Sequence, residues 1–137
     1  MTPHQISLVN KTWSLAQPLG DTVTTLFYGR LFELDPSIRV LFKKDMQEQG
    51  HRLRAMFSLV TTGLNQPEKL APVLAASGRR HVHYGVLDSH YDTARDALVW
   101  ALEQCLREIF TTEVRDAWIE TYEFMARLMK EAAAQPA

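Results

Sequence analysis

Apolar residues recur at every third or fourth position along most of the chain, which is the spacing of one face of an α-helix. The first such stripe consists of Ile6, Val9, Trp13 and Ala16. Thr2 as N-cap, Pro3 at the first helical position and Gln5 three residues after the cap are typical of a helix start. The pattern therefore predicts a first helix that begins at Pro3 and runs to about Ala16.

Two further helices are predicted before residue 43. Between residues 21 and 34 apolar side chains nearly encircle the helix, so this helix is expected to be buried. Tyr28 lies within it, and a buried phenol hydroxyl needs a hydrogen-bond partner. Asp35 and Pro36 then predict the start of a short helix that ends at Leu41–Phe42.

The next helix is predicted between Met46 and Leu64, after a cap pattern formed by Asp45 and Glu48. One face of this helix carries Gln49, Leu53, Met56, Phe57 and Val60. Gln49 is therefore the polar residue at the inward edge of an otherwise apolar face.

His81 ends the inward stripe of the following helix, which consists of Leu70, Val73, Leu74, Ser77 and His81. A neutral imidazole on an inward face is a common iron or zinc ligand, and its second ring nitrogen needs a partner that fixes the ring. Ser77, one turn earlier, is a candidate for that partner. The alternative is a core histidine that is satisfied by hydrogen bonds alone.

Two long helices complete the pattern. The first is predicted to start from a cap at Ser89 and Asp92, and Thr111 or Thr112 is predicted to cap the second. No segment alternates in the way a strand does, so the fold is predicted to be all-α with six or more helices.

Length and charge limit the kinds of partner. With 137 residues the chain is expected to form one domain over residues 1–137, with a frayed tail at about residues 133–137. A net charge of −1 without a long basic run argues against a nucleic-acid or membrane partner. Cys105 is the single cysteine, which excludes an internal disulfide. Because no signal-peptide or membrane-spanning pattern occurs, a cytoplasmic location is expected.

The sequence lacks the common motifs of nucleophilic, nucleotide-binding and zinc sites. No GxGxxG, GxxxxGK[ST] or HExxH pattern occurs, and no serine or cysteine lies in a nucleophile-elbow context. A single inward histidine suits haem better than a metal ion that the protein alone must coordinate.

Three segments carry a resemblance that spans nearly the whole chain: TLFYGRLFELDPSIRVLF (25–42), GRRHVHYGVLDSHY (78–91) and EVRDAWIETY (113–122). Through them the chain resembles the bacterial single-domain globins of the flavohaemoglobin-like branch, without the reductase domain. The resemblance implies a globin fold in which six to eight helices sandwich one haem b, iron protoporphyrin IX.

The resemblance also implies roles for individual residues. The cofactor-binding set that it implies is His81, Phe42, Tyr28, Gln49, Leu53, Val86 and Tyr91. Within this set His81 is expected to be the proximal iron ligand and Phe42 to pack on the porphyrin face. Tyr28, Gln49 and Leu53 match the family's distal residues, which contact the gas. These positions agree with the inward faces that the apolar pattern predicts.

The distal tyrosine has a physical reason. Dioxygen becomes negatively polarised at a haem, and a fixed Tyr28 hydroxyl can stabilise that charge in a water-poor pocket. Such a hydrogen bond is worth about 1–3 kcal/mol and would slow oxygen release about ten- to a hundredfold. Two alternatives stay open: Tyr28 can be tied to a backbone carbonyl, and Gln49 can be exposed on its helix.

One departure from the family lies behind the proximal histidine. Flavohaemoglobins place a tyrosine and a glutamate there, which makes the imidazole a stronger electron donor. Tyr91 matches the tyrosine, but Ala133 stands at the glutamate's position and Glu131 is expected to point elsewhere. Peroxidase-like chemistry is therefore in doubt.

The leading expectation is a haem protein that binds dioxygen reversibly for storage, delivery or scavenging, and that also takes CO and NO. One alternative is nitric oxide dioxygenation with electrons from a separate reductase. A second is haem-based gas or redox sensing, which is disfavoured because no output domain is recognised, and a third is a helical domain without haem. The protein is expected to be a monomer or weak homodimer, and its ferrous form to be five-coordinate because Gln49 is a poor iron ligand.

Overall fold

The computed structural model describes residues 1–43 and 45–135, and it folds this part of the chain into six α-helices and three short 3₁₀ helices without a strand. The α-helices are α1 (Pro3–Ala16), α2 (Gly20–Leu34), α3 (Met46–Gly63), α4 (Pro67–His83), α5 (Asp88–Leu106) and α6 (Thr112–Ala134). The 3₁₀ helices are Gln17–Leu19, Pro36–Leu41 and Arg107–Ile109. The all-α prediction is confirmed.

Local sequence signals set most of the helix starts. The Thr2 hydroxyl accepts a hydrogen bond from the Gln5 N–H and the Gln5 side chain accepts one from the Thr2 N–H, so the predicted capping box is formed. Asp35, Asp45 and Thr111 cap the helices that follow them. These caps satisfy backbone N–H groups that a helix start leaves without a partner.

The start of α5 differs from the prediction. This helix begins at Asp88, one residue before the predicted Ser89 cap, and Leu87 precedes it in an extended conformation. The Leu87 N–H donates to Nδ1 of His90 over 3.0 Å. The Ser89 prediction is wrong because an imidazole nitrogen, rather than a hydroxyl, accepts the bond at this helix start.

The core is built by helices that are distant in sequence. Trp118 of α6 is fully buried, and its indole N–H donates over 2.9 Å to the hydroxyl of Thr12 in α1. Trp13 and Phe57 pack against the Trp118 ring, with centroids 6.0 and 6.1 Å from it. These contacts join α1, α3 and α6 around one aromatic centre.

The helix packing leaves α3 and α4 apart along much of their length. α2 packs mainly on α5 and α4 mainly on α6, whereas the consecutive helices α3 and α4 contact each other much less. They meet near their joined ends, where Leu70 lies so close to Gly63 that a Cβ at residue 63 would be 2.7 Å from the Leu70 Cδ2. A groove between α3 and α4 follows from this arrangement.

The last helix, α6, extends into the region of the predicted tail. α6 continues to Ala134, and residues 136 and 137 of the predicted frayed tail lie outside the described residues.

None of the helices in the described segments combines the length and apolarity that crossing a bilayer requires.

Candidate functional site

The proximal side of the site is the last turn of α4, where the His81 side chain is half-buried. Leu70, Leu74 and Ser77 on the same helix are buried, which agrees with the predicted stripe. Val73 does not follow the stripe, because 38% of its surface is exposed. α4 packs mainly on one neighbour, α6, and therefore buries a narrower face than the apolar pattern predicts.

The electrostatic environment keeps the His81 imidazole neutral. Burial lowers the pKa of His81, and the neighbouring guanidinium of Arg80 lowers this pKa further. A neutral imidazole has a free lone pair on one ring nitrogen, which is the form that binds a metal.

The partner of His81 is Tyr91, not Ser77. The Tyr91 hydroxyl lies 3.2 Å from Nδ1 of His81, whereas Ser77 is buried without a hydrogen bond to the imidazole. Ser77 is therefore not the partner, because the longer side chain of Tyr91 on α5 reaches the ring, at the position behind His81 that the resemblance implies for a tyrosine. No described residue makes a hydrogen bond with Nε2 of His81.

The turn after His81 positions the residues beside it. The Val86 N–H donates over 2.9 Å to the His81 carbonyl, which closes the turn between α4 and α5. Gly85 has a φ of 93°, a left-handed conformation that favours glycine. A Cβ at residue 85 would lie 3.5 Å from Leu41 Cδ2, so this turn lies against the residue that precedes Phe42. Val86 itself is half-buried.

The distal side of the site is an aromatic group on α2 and on the segment that follows it. The Tyr28 ring meets the Phe42 ring edge-on at 5.4 Å and the Phe32 ring at 6.1 Å. Burial raises the pKa of Tyr28 to about 12, so its hydroxyl is a hydrogen-bond donor throughout the neutral range. Phe42 is half-buried and leaves part of its ring available for contact.

The Tyr28 hydroxyl donates to the backbone carbonyl oxygen of Gln49 over 3.4 Å. This is the partner that the alternative interpretation of Tyr28 describes. The distance is at the outer limit of a hydrogen bond, so the contact is weak. The same contact brings Tyr28 to the first turns of α3, where the sequence places Gln49.

Gln49 and Leu53 lie one turn apart on α3, and both side chains are half-buried. Among the described residues the Gln49 side chain makes no hydrogen bond. Gly50 allows α3 to approach α2 closely, since a Cβ at residue 50 would lie 3.0 Å from the Thr24 hydroxyl oxygen. Thr24 precedes Tyr28 by one helical turn. The Gly50 contact therefore sets the spacing between Tyr28 and Gln49.

A cavity of about 400 Å³ adjoins the distal group between α2 and the start of α3. Its lining consists of Asp21, Thr24, Thr25, Tyr28, Phe32, Met46 and Gln47. Of the residues predicted for the site, only Tyr28 belongs to this lining among the described residues.

The two sides of the site form separate groups. His81, Val86 and Tyr91 make the proximal group, and Tyr28, Phe42, Gln49 and Leu53 make the distal group. No hydrogen bond or aromatic contact among the described residues joins a member of one group to a member of the other. His81 is on α4, and the half-buried Gln49 and Leu53 are on α3, the two helices that border the groove.

The residues fit haem better than they fit a bare metal ion. Within the described part of the chain no group of three or more histidine, cysteine, aspartate or glutamate side chains lies close enough to hold a metal. Haem brings four of its own nitrogen ligands, so the protein needs to supply one imidazole, and apolar side chains can cover the rest.

The periodicity missed three residues that shape the site: Gly50, Gly78 and Lys130. Gly78 lies against α6, where an added Cβ would be 2.2 Å from the Met129 backbone oxygen. Lys130 places its Nζ 5.3 Å from the centroid of the Tyr91 ring. The two glycines could have been found as small residues near the predicted site, whereas Lys130 carries no signal in the sequence.

Comparison with known proteins shows the family to which the sequence is similar. Residues 25–129 match the family described as Globin. The chain is 34% identical over 136 residues to the flavohemoprotein of Xylella fastidiosa (strain Temecula1), an overlap that covers 97% of this chain and 34% of that protein. The chain thus spans about a third of the length of the curated relatives that it matches.

Two solved structures share the fold. An engineered carbene transferase, described as a putative nitric oxide dioxygenase from Rhodothermus marinus, superposes with a TM-score of 0.89 at 24% identity, covering 98% of this chain and 94% of that one. A bacterial globin from Campylobacter jejuni superposes with a TM-score of 0.86 at 21% identity, covering 96% of each chain.

Proposed function

Because the chain belongs to the globin family, we propose that it binds haem b through His81 and holds dioxygen reversibly against Tyr28 and Gln49. The predicted globin fold is confirmed by the family match and by the structural neighbours. The biological role that we propose is oxygen storage, delivery or scavenging in the cytoplasm, with CO and NO as competing ligands.

The observation that carries this proposal is the state of His81. Its imidazole is half-buried and its pKa is lowered, Nδ1 is held by Tyr91, and Nε2 has no hydrogen bond to any described residue. A proximal ligand needs this combination, because a neutral ring must be fixed by one nitrogen and must offer the other.

The remaining residues bind and orient the gas. When bound, haem would be held by His81 and would supply an iron atom that can bind a diatomic gas. The Tyr28 hydroxyl, which stays protonated, can donate a hydrogen bond to a negatively polarised gas, and the Gln49 amide can add a second. Phe42 and Leu53 contribute apolar surface that excludes water from the groove.

The proposal is tested by the absorption spectra of the purified, reduced protein with and without CO. We expect a haem spectrum, and five-coordinate ferrous iron in the absence of gas. His81→Gly should lose the normal spectrum and regain it when imidazole is added. His83→Gly is the matched control, since His83 is an exposed histidine two residues away in the same helix. A wild-type protein that takes up no haem would overturn the proposal.

Nitric oxide dioxygenation is the second candidate. It is favoured by the similarity to flavohemoproteins, of which this chain spans a third. Turnover would require electrons from a separate reductase. Sustained consumption of nitric oxide that depends on an added flavin reductase and NADH would favour this role. A protein that only carries oxygen would consume nitric oxide once, with the dioxygen already bound, and would show no further turnover.

A further inference from the structure

A lysine lies behind the proximal pair formed by His81 and Tyr91. Lys130 of α6 is half-buried, and its Nζ lies 5.3 Å from the centroid of the Tyr91 ring. The hydroxyl of that ring lies 3.2 Å from Nδ1 of His81. Tyr91 therefore interacts with the Lys130 ammonium through its ring and with the His81 imidazole through its hydroxyl.

No carboxylate among the described residues makes a hydrogen bond with either member of this pair. Glu131 follows Lys130 in sequence, but its side chain is exposed. Ala133, one helical turn after Lys130, carries no polar group. Among the described residues, no carboxylate is therefore hydrogen-bonded to this pair in a way that would draw the Nδ1 proton away from His81.

Other charges near the pair act from exposed positions. Arg80 is exposed and adds positive charge beside His81, whereas Asp88 is exposed and adds negative charge beside Tyr91. Solvent weakens both effects, although each charge still shifts the pKa of its neighbour. Lys130 is the half-buried charge of the three and lies over the ring face, where a cation attracts the electrons of the aromatic ring.

The charge of Lys130 affects the hydrogen bond between the two side chains. When Nε2 of His81 binds iron, Nδ1 carries the proton and donates it to the Tyr91 oxygen. A cation over the ring withdraws electron density from that oxygen and makes it a weaker acceptor. The Nδ1–H bond is then less polarised, and the imidazole gives less electron density to iron.

We propose that Lys130 acts through Tyr91 to keep His81 a weak electron donor and thereby favours ferrous over ferric haem. This inference rests on the proposed haem ligation by His81. It identifies Lys130 as a residue that tunes the redox equilibrium without contacting the cofactor. Ferrous iron is the form that binds dioxygen reversibly, so the lysine would protect the carrier state from oxidation.

The test is a spectroelectrochemical titration of the haem-loaded full chain and its Lys130→Met variant. We expect the ferric-to-ferrous equilibrium to shift about three- to tenfold toward ferric, which is a fall of about 30–60 mV in a one-electron potential. The iron–histidine stretching frequency of the ferrous protein, measured by resonance Raman spectroscopy, should rise in the same variant. Lys130→Arg keeps the charge and should restore the wild-type values of both.

Arg127→Met is the matched control. Arg127 is also on α6 and lies over an aromatic ring, that of Phe124 at 6.0 Å, but no described contact links Phe124 to His81. A change below twofold in Lys130→Met, or an equal change in Arg127→Met, would overturn the inference while haem binding stands. Absence of haem binding in the wild type would overturn both this inference and the proposed function.

Discussion

At the scale of single residues, the Tyr28 hydroxyl gives the most direct prediction. Tyr28→Phe keeps the ring that packs on Phe42 and removes the donor, so the fold should be retained. We expect oxygen to dissociate at least about tenfold faster, because a lost hydrogen bond of roughly 1.4 kcal/mol corresponds to that factor. Carbon monoxide, which is less polar when bound, should change less.

Stopped-flow measurement of oxygen dissociation checks this prediction. Tyr84→Phe is the control, since Tyr84 is an exposed tyrosine, with 54% of its surface accessible. Dissociation rates that stay within twofold of the wild type in Tyr28→Phe would exclude a distal role for Tyr28.

The pKa of Tyr28 makes a second prediction. Burial raises the pKa of Tyr28 to about 12, because the charged phenolate is less solvated there than the neutral phenol. The hydroxyl therefore keeps its proton, and its capacity to donate, as the pH rises through the usual phenol range near 10. Oxygen dissociation should be constant between about pH 7 and 10. An acceleration near pH 10 that disappears in Tyr28→Phe would contradict this assignment.

Residue types and spacing predicted which side chains face inward, but not which of them touch. His81 and Tyr28 follow from the apolar stripes of α4 and α2. The contact between His81 and Tyr91 depends on where α5 lies relative to α4, and periodicity within one helix carries no information about a second helix. The error over Ser77 has this cause, and so does the absence of Lys130 from the predicted site.

At the scale of helices, two glycines define how closely the supporting helices approach the site. Gly50 lies next to Gln49 and contacts Thr24 of α2, and Gly78 lies one turn before His81 and contacts α6. Because glycine has no side chain, the neighbouring helix packs directly on the backbone at these two positions, through the short Thr24 side chain at Gly50 and through the Met129 backbone at Gly78. The distal and proximal helices are therefore each held against a neighbour at a fixed distance.

Gly78→Ala tests the proximal contact. The added Cβ would lie 2.2 Å from the Met129 backbone oxygen, and backbone cannot move aside as a flexible side chain can. We expect a loss of about 1–3 kcal/mol in the free energy of unfolding, together with weaker haem retention, because α4 must move away from α6. Urea unfolding and haem transfer to an acceptor protein measure the two effects.

Gly29→Ala is the matched control for this substitution. Gly29 is also helical, and a Cβ there would meet no atom of the described residues within 4 Å. It should leave haem retention unchanged and raise the free energy of unfolding by up to about 1 kcal/mol, since alanine favours a helix more than glycine does. Equal behaviour of Gly29→Ala and Gly78→Ala would show that the close approach of α4 to α6 has no special role.

At the scale of the whole molecule, the sequence predicted which segments form helices better than it predicted how those helices pack. The caps at Thr2, Asp35, Asp45 and Thr111 are local, since each depends on residues within one turn. The groove between α3 and α4 depends on long-range packing of α4 on α6 and of α2 on α5. Only the resemblance of three segments to globins pointed to that arrangement.

Haem held in the proposed way would link two packed groups of helices. α4 with α6 carries the proximal group, whereas α2 and α3 carry much of the distal group. Haem that contacts both groups should stabilise the folded protein, by about 4 kcal/mol when free haem reaches a thousand times its dissociation constant. Thermal unfolding with and without haem measures the gain, which should be smaller in His81→Gly. No gain in the wild type would contradict a cofactor that bridges the groove.

The 3.4 Å contact between the Tyr28 hydroxyl and the Gln49 carbonyl has a further consequence for ligand choice. The hydroxyl must break its hydrogen bond to the Gln49 carbonyl before it can donate one to a gas. Its contribution to gas affinity is therefore the difference in free energy between these two hydrogen bonds. An apolar gas gains little from that exchange, whereas a negatively polarised gas gains the difference. Because the resting bond is long, little is lost on leaving it. Discrimination between gases would therefore be set mainly by the hydrogen bond that the Tyr28 phenol donates to the ligand, and the long contact with the Gln49 carbonyl would reduce it only slightly.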